Sequence, residues 1–198
     1  MGHENLLVGT VLDPDWVREM ADTYATLIVN LMEELFSKEG APDGVWFSED
    51  LGYKEHAFIS PGMYKELIKP SHKKTFGYAH SLGLPVVMHS CGFVEKLIPE
   101  FLDAGIDCLQ ALEVKAGMDL VSIYRKYGEF LSLMGGMDIR ELYSNDKERV
   151  SRELMSKLPE VMGHNGYALH SDHSVPYTVD YDTYRYFLDR GLALGTYK

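Results

Sequence analysis

The segment Leu84-Pro85-Val86-Val87-Met88-His89-Ser90-Cys91-Gly92 is a short apolar run that ends in an imidazole, a thiol and a glycine. A helical pattern follows at once, with apolar residues at positions 94, 97, 98, 101 and 102. A strand that leads directly into a helix is a βα unit. We therefore expect His89 and Cys91 at the carboxyl end of a parallel strand, where α/β folds keep their chemistry.

The same order of elements recurs along the chain. Strands are predicted near residues 45–47, 86–89, 107–112, 130–134 and 167–169, and each is followed by a helical pattern. Strict β-α alternation predicts an α/β fold with a parallel sheet. Five units either form a small doubly wound sheet or make up part of a (β/α)8 barrel, which usually needs about 250 residues.

Composition limits the class of protein. The chain of 198 residues is 45% hydrophobic and 25% charged, which predicts one globular domain over residues 1–198. A net charge of −11 without a Lys/Arg cluster argues against nucleic-acid binding. No apolar run approaches the roughly 20 residues that span a bilayer.

The two cysteines, Cys91 and Cys108, are too few for a disulfide framework. The first residues lack the basic and apolar regions of a signal peptide. Free thiols without an export signal predict a cytoplasmic protein.

Polar side chains follow every predicted strand, and the carboxyl ends of parallel strands meet on one face of a sheet. A mixed nitrogen and sulfur set suits zinc, and three protein ligands with one open position are typical of catalytic zinc. The sequence therefore predicts a metal site on this face. The candidate residues are Glu49, Asp50, His89, Cys91, Glu113, Asp138, His170, Asp172 and His173.

Some of these residues have a second interpretation. Glu113 and Asp138 either line the site or cap the helices that follow their strands. Cys108 lies within an apolar strand and is expected in the core. The remaining histidines with a sequence context are expected at the surface: His56, His72, His80 and His164.

The chain resembles the uroporphyrinogen decarboxylase superfamily, which includes zinc-dependent, corrinoid-linked methyltransferases. Four segments in family order carry the resemblance. They are residues 43–53 (DGVWFSEDLGY), 88–92 (MHSCG), 133–138 (LMGGMD) and 170–176 (HSDHSVP).

This resemblance implies a (β/α)8 barrel with its cleft at the C-terminal face. In the methyltransferase branch an H-x-C motif and a later cysteine bind zinc, which activates an acceptor thiol toward a methyl group on a corrinoid carried by a partner protein. His89 and Cys91 match the first two ligands, and the third position falls on His173, with His170 as the other choice. A neutral imidazole in place of a thiolate leaves the site about one charge unit less negative, so the acceptor is not expected to be a simple thiol.

The resemblance also implies roles for the carboxylates. Glu49, Asp50 or Glu113 supplies a fourth ligand or orients the small-molecule substrate. Asp138 and His170 line the cleft. Alternate residues on a strand face opposite ways, so Glu49 and Asp50 remain alternatives to each other.

Two other functions fit the same superfamily. One is a carboxy-lyase like uroporphyrinogen decarboxylase itself, although a net charge of −11 would repel a polycarboxylate substrate. The other is a truncated barrel that binds a ligand without turnover. Family members are longer than this chain, and their first barrel strands have no counterpart here. We therefore expect about five βα units from the C-terminal portion of the barrel, and a homo-oligomer, a dimer, that buries the open side.

Overall fold

A computed structural model describes residues 2–163 and 166–197 of the chain, so His164 lies outside the described residues. The strands, numbered in chain order, are β1 Val45–Ser48, β2 Gly52–Tyr53, β3 His56–Ala57, β4 Val86–Ser90, β5 Cys108–Ala111, β6 Ser132–Gly135 and β7 Tyr167–Ala168. The α-helices are α1 His3–Leu12, α2 Pro14–Glu39, α3 Pro61–Met63, α4 Lys69–Ser81, α5 Ile98–Ala104, α6 Leu120–Tyr127, α7 Ile139–Tyr143, α8 Lys147–Val161 and α9 Tyr181–Gly195. A π-helical turn over Tyr64–Ile68 leads into α4, and 3-10 turns cover Glu95–Leu97 and Val114–Ala116.

Five strands form one parallel sheet in the order β1-β4-β5-β6-β7. This order follows the chain without reversal, whereas a doubly wound sheet reverses at a switch point. The predicted α/β fold, a partial barrel of about five βα units, is confirmed. The short strands β2 and β3 form a separate antiparallel hairpin directly after β1.

The long helix α2 packs against α4, and α1 packs against α2. Asp13 caps α2 by accepting a hydrogen bond from the Trp16 backbone N–H at 3.2 Å, and Pro14 occupies the first helical position. Val17, Ala25 and Met32 are the buried residues of α2. Within the described residues, no helix has the length and the hydropathy that crossing a bilayer requires.

The sheet register brings the strand ends to one level. Ser48 of β1 is opposite His89 of β4, and His89 is opposite Gln110 of β5. Burial along β4 alternates, with Val86 and Met88 fully buried and His89 half-buried, so His89 projects from the face opposite to the helix-covered core.

One surface prediction is wrong. His72 is buried, with 6% of its area exposed, because it lies on α4 at the spacing of Phe76 and Ala79, which face the core. His56 and His80 are exposed as predicted.

Candidate metal centre

Three potential ligands converge at the carboxyl ends of β1 and β4. One ligand atom from each of Asp50, His89 and Cys91 lies within 4.8 Å of the other two. His89 Nε2 is 3.2 Å from Cys91 Sγ and 3.3 Å from Asp50 Oδ1. The Cys91 backbone N–H also donates to Asp50 Oδ1 at 3.0 Å, which holds the carboxylate beside the thiol. Nitrogen, sulfur and oxygen donors at this separation suit a zinc ion.

The ring of His89 is oriented by Gln110 on the neighbouring strand. His89 Nδ1 is hydrogen-bonded to Gln110 Oε1, and an amide oxygen can only accept, so Nδ1 carries the proton. The lone pair of Nε2 then faces Cys91 and Asp50, which is the tautomer that a metal ligand needs. Sequence reasoning missed Gln110, although its place opposite His89 follows from the strand register.

The hairpin of β2 and β3 packs its backbone directly on the turn that contains Cys91. Gly92 has a φ of +75°, and a Cβ there would lie 2.4 Å from the backbone carbon of Gly52. A Cβ on Gly52 would lie 2.4 Å from the carbonyl oxygen of Cys91. Both positions therefore require glycine, and the hairpin fixes the path of the chain beside the thiol.

The electrostatic surroundings of Cys91 are acidic. Burial, followed by the negative charges of Asp50 and Glu113, raises the pKa of the Cys91 thiol to about 11. The free thiol is therefore protonated at neutral pH. A cation at this position is what would favour the thiolate.

Glu113 follows β5 and supports the same turn. Its carboxylate accepts a hydrogen bond from the Gly92 backbone N–H at 2.8 Å. It makes no capping hydrogen bond to the 3-10 turn that follows it. The Glu113 carboxylate therefore lies next to the turn that carries Cys91.

Asp138 follows β6 and caps α7. Its Oδ1 accepts from the Arg140 backbone N–H at 2.9 Å, and the Arg140 guanidinium forms a fork with both carboxylate oxygens. Burial opposes the charged form, but the hydrogen bonds from Arg140 outweigh it and hold the pKa of Asp138 below its usual value. Asp138 therefore acts as a helix cap that fixes Arg140.

Asp172 follows β7 and joins the loops of three βα units. Its two carboxylate oxygens accept from the backbone N–H groups of Val114, at 2.9 Å, and Ile139, at 2.8 Å. Its own N–H donates to Met137 O at 2.8 Å. Burial raises the pKa of the Asp172 carboxyl despite these backbone hydrogen bonds.

The two predicted histidines after β7 lie apart from the Asp50–His89–Cys91 group. His173 is exposed and lines a cleft of about 340 Å³ together with Glu113, Lys115, Arg140 and Asp172. The His170 ring makes a hydrogen bond through Nδ1 to the Ser171 carbonyl oxygen. Among the described residues, the carboxylate of Asp50 and not the imidazole of His173 lies in the group with His89 and Cys91.

Glu49 and Asp50 are separated by strand geometry. Asp50 lies beside the thiol, whereas the Glu49 carboxylate is 3.5 Å from His72 Nε2, on the side of α4. Neighbouring residues at the end of an extended strand project to opposite faces, which accounts for this division.

A parallel sheet in chain order, with polar side chains gathered at its carboxyl ends, is the arrangement of the α/β barrel class of proteins. The sequence matches the family described as Uroporphyrinogen decarboxylase (URO-D) over residues 1–191, and the chain belongs to this family. It is also similar to the methylated-thiol--coenzyme M methyltransferase of Methanosarcina mazei, with 28% identity over 147 residues. That alignment covers 73% of this chain and 36% of the relative. The predicted resemblance to the superfamily and its methyltransferase-like branch is confirmed.

Proposed function

We propose that this protein is a zinc-dependent methyltransferase that acts with a corrinoid protein and moves a methyl group to or from a small acceptor. The observation that carries the proposal is the convergence of Asp50, His89 and Cys91 at adjacent strand ends. The similarity to a methyltransferase supports the reaction class.

The donor set fits zinc in charge as well as in type. One imidazole, one thiolate and one carboxylate carry the same formal charge as one imidazole and two thiolates. With Asp50 as the third ligand, the site is therefore as negative as one with a second cysteine, and a simple thiol becomes a suitable acceptor. The chemistry that bound zinc supplies is a lowered pKa for that thiol.

The chain's own residues would prepare the site and hold the substrate. Gln110 fixes the tautomer of His89, and Glu113 holds the turn that carries Cys91. The cleft beside Glu113 is the proposed place of the small-molecule acceptor. His173 is proposed to contact that molecule or to complete the coordination. His170 is proposed to line the approach to it.

The cellular compartment and the corrinoid partner belong to the same proposal. Cys91 and Cys108 are both free thiols, which suits the reducing cytoplasm, where the thiol ligand stays available. The corrinoid is proposed to arrive on a separate protein, since the open carboxyl face offers access to the metal group.

We further propose that two copies of the chain associate through α2. Tyr24, Leu27, Leu31 and Leu35 form a stripe along this helix and are between 49% and 64% exposed. With Trp16, the stripe offers on the order of 500 Å² of apolar surface, about two thirds of what one partner contributes to a standard interface. Two facing stripes would remove this surface from water. Light scattering that finds only monomers at micromolar concentration contradicts this association.

The metal is tested by plasma mass spectrometry on untagged protein purified without added metal. We expect near-stoichiometric zinc in the wild type and its loss in Cys91→Ser and His89→Ala. Cys108→Ser is the matched control, because Cys108 is the other free cysteine and is not part of the metal group. Wild-type protein that takes up no zinc on titration contradicts the metal assignment, and so do variants that retain zinc.

The family match also includes decarboxylation as a reaction, and chelation separates it from methyl transfer. A zinc-dependent transferase loses activity when a chelator removes the metal and regains it on zinc addition. A carboxy-lyase working without metal keeps its activity. Zinc binding without turnover in either assay indicates a barrel that binds ligand only.

A further inference from the structure

A row of three polar side chains, Tyr64, His72 and Glu49, lies behind the metal group on the helix side of β1. Tyr64 has no exposed area and His72 has 6%. The Tyr64 hydroxyl lies 2.7 Å from His72 Nδ1, and His72 Nε2 lies 3.5 Å from Glu49 Oε2. The metal chemistry proposed above uses none of these three residues.

The proton positions in the Tyr64–His72–Glu49 row follow from the groups at its two ends. A carboxylate attracts an N–H, so the Nε2 of His72 carries the proton on the side of Glu49. Nδ1 then accepts the hydrogen bond from Tyr64. Burial, followed by the charge of Glu49, raises the pKa of Tyr64, so the phenol keeps its proton and remains a donor. The contact of 3.5 Å is longer than an ordinary hydrogen bond, so the neutral ring orients Glu49 through the attraction between its N–H dipole and the carboxylate charge.

The His72 ring is held in place from both sides. It stacks on Phe76 with the ring centroids 4.9 Å apart, and it lies 5.6 Å from the Tyr64 ring. Its Nε2 is therefore a fixed point in the helix layer. The Glu49 side chain is less constrained, with 30% of its area exposed.

Glu49 is connected to the metal group through the backbone. Its N–H donates to the carbonyl oxygen of His89 at 2.8 Å, and its own peptide bond leads directly to Asp50. On the other side of Asp50, the Leu51 N–H donates to Ser90 Oγ at 3.1 Å. A rotation of Glu49 about its backbone dihedral angles therefore moves the Asp50 carboxylate relative to His89.

Empty space beside Glu49 makes the orientation of its side chain depend on the contact with His72. A cavity of about 140 Å³ borders both side chains and is lined also by Ala21, Ala25, Ser71 and Thr75. Because this room allows other rotamers, packing alone does not fix the Glu49 carboxylate. The contact with His72 is therefore the tether that holds the Glu49 side chain, and with it the backbone of residue 49, toward the helix layer.

We propose that His72 is a positioning residue: from the helix layer it orients Glu49, and through the Glu49–Asp50 peptide it sets the place of Asp50 in the metal group. This inference rests on the proposed function, since it assigns a support to the same metal site. It gives Glu49 a role different from substrate contact.

Two amide substitutions separate the two contacts of the ring. In His72→Gln the amide nitrogen takes the place of Nε2 and keeps a donor toward Glu49. In His72→Asn the amide oxygen takes the place of Nδ1 and accepts from Tyr64, while the donor toward Glu49 is lost. We expect zinc to bind His72→Asn roughly tenfold more weakly than the wild type, at the lower end of what outer-shell partners of metal ligands contribute. His72→Gln should remain within about twofold of the wild type on the same scale.

Zinc affinity is measured on the whole chain by competition with a chromophoric chelator, and the absorption of bound Co²⁺ reports the coordination in each variant. Glu49→Gln, which keeps the size of the side chain and removes its charge, should match His72→Asn. Thermal unfolding of the same samples shows the separate effect on stability.

Two outcomes would overturn the positioning role of His72, and a third would contradict the proposed function. Equal zinc affinity in His72→Gln and His72→Asn overturns the positioning role, whether both are weakened or both are unchanged. Loss confined to His72→Gln overturns it as well, because the contact with Tyr64 would then be the one that matters. Failure of the wild type to bind zinc contradicts the proposed function itself and is read before any variant.

Discussion

The close approach of Gly92 to the β2–β3 hairpin gives a prediction whose size follows from the geometry. Gly92→Ala places a methyl group 2.4 Å from the backbone carbon of Gly52 and 2.5 Å from the Tyr53 backbone nitrogen. It also puts a side chain on a residue with a φ of +75°. The backbone conformation costs about 1–2 kcal/mol, and the displacement of the hairpin about 1–3 kcal/mol more.

Gly83 is the matched control. Its φ is +74°, and a Cβ there would have no atom within 4 Å. Gly83→Ala therefore carries only the conformational cost of about 1–2 kcal/mol. We expect Gly92→Ala to lower the free energy of unfolding by about 2–5 kcal/mol in urea titrations. Its zinc affinity should fall as well, because the turn that carries Cys91 must move. Equal losses of stability in the two variants would refute the steric argument.

Two further predictions concern single hydrogen-bonding groups. Gln110→Leu removes the acceptor for His89 Nδ1, so we expect a loss of zinc affinity of roughly tenfold, measured by chelator competition, whereas an unchanged affinity would show that the ring is fixed by packing alone. Asp138→Asn weakens the fork with Arg140, and we expect it to lower the free energy of unfolding at pH 7 by about 1–3 kcal/mol. Because the folded pKa of Asp138 is lowered, its contribution is present above the unfolded pKa and is lost as the pH falls through the folded pKa. Urea titrations should therefore show the difference from wild type shrinking below about pH 4, and a difference independent of pH contradicts this account.

The succession of βα units and the place of His89 and Cys91 could be predicted because both are local in the sequence. Strand and helix periodicity identifies the βα units, and a parallel sheet puts their carboxyl ends on one face. The place of the H-x-C segment at the site follows from the end of its strand alone.

Other features of the site depend on contacts between distant segments, which the periodicity of the sequence does not predict. Asp50 and Glu49 are adjacent, and only the twist of the chain after β1 determines which of them lies near Cys91. Gln110 required the register between β4 and β5, which is set by packing. His72 looked like a surface residue because polar neighbours surround it in the sequence, yet its face of α4 is the one that covers the sheet.

The expectation for His173 shows how a family pattern and a local fold can differ. The pattern places a third ligand after the last strand, whereas the structure brings a carboxylate from the first strand to the pair. Asp138 was expected either to line the site or to cap a helix, and the structure shows the capping hydrogen bond.

The junction at Asp172 has a consequence for how substrate preference could change in this fold. Each residue joined there is followed directly by one that faces the cleft: Val114 by Lys115, Ile139 by Arg140, and Asp172 by His173. The junction is made by backbone N–H groups and one buried carboxylate, so the neighbouring side chains can vary without breaking it. Positions 115 and 173 are therefore suited to the redesign of selectivity, because the junction fixes their spacing and leaves their side chains free to vary, whereas Arg140 is also held by Asp138.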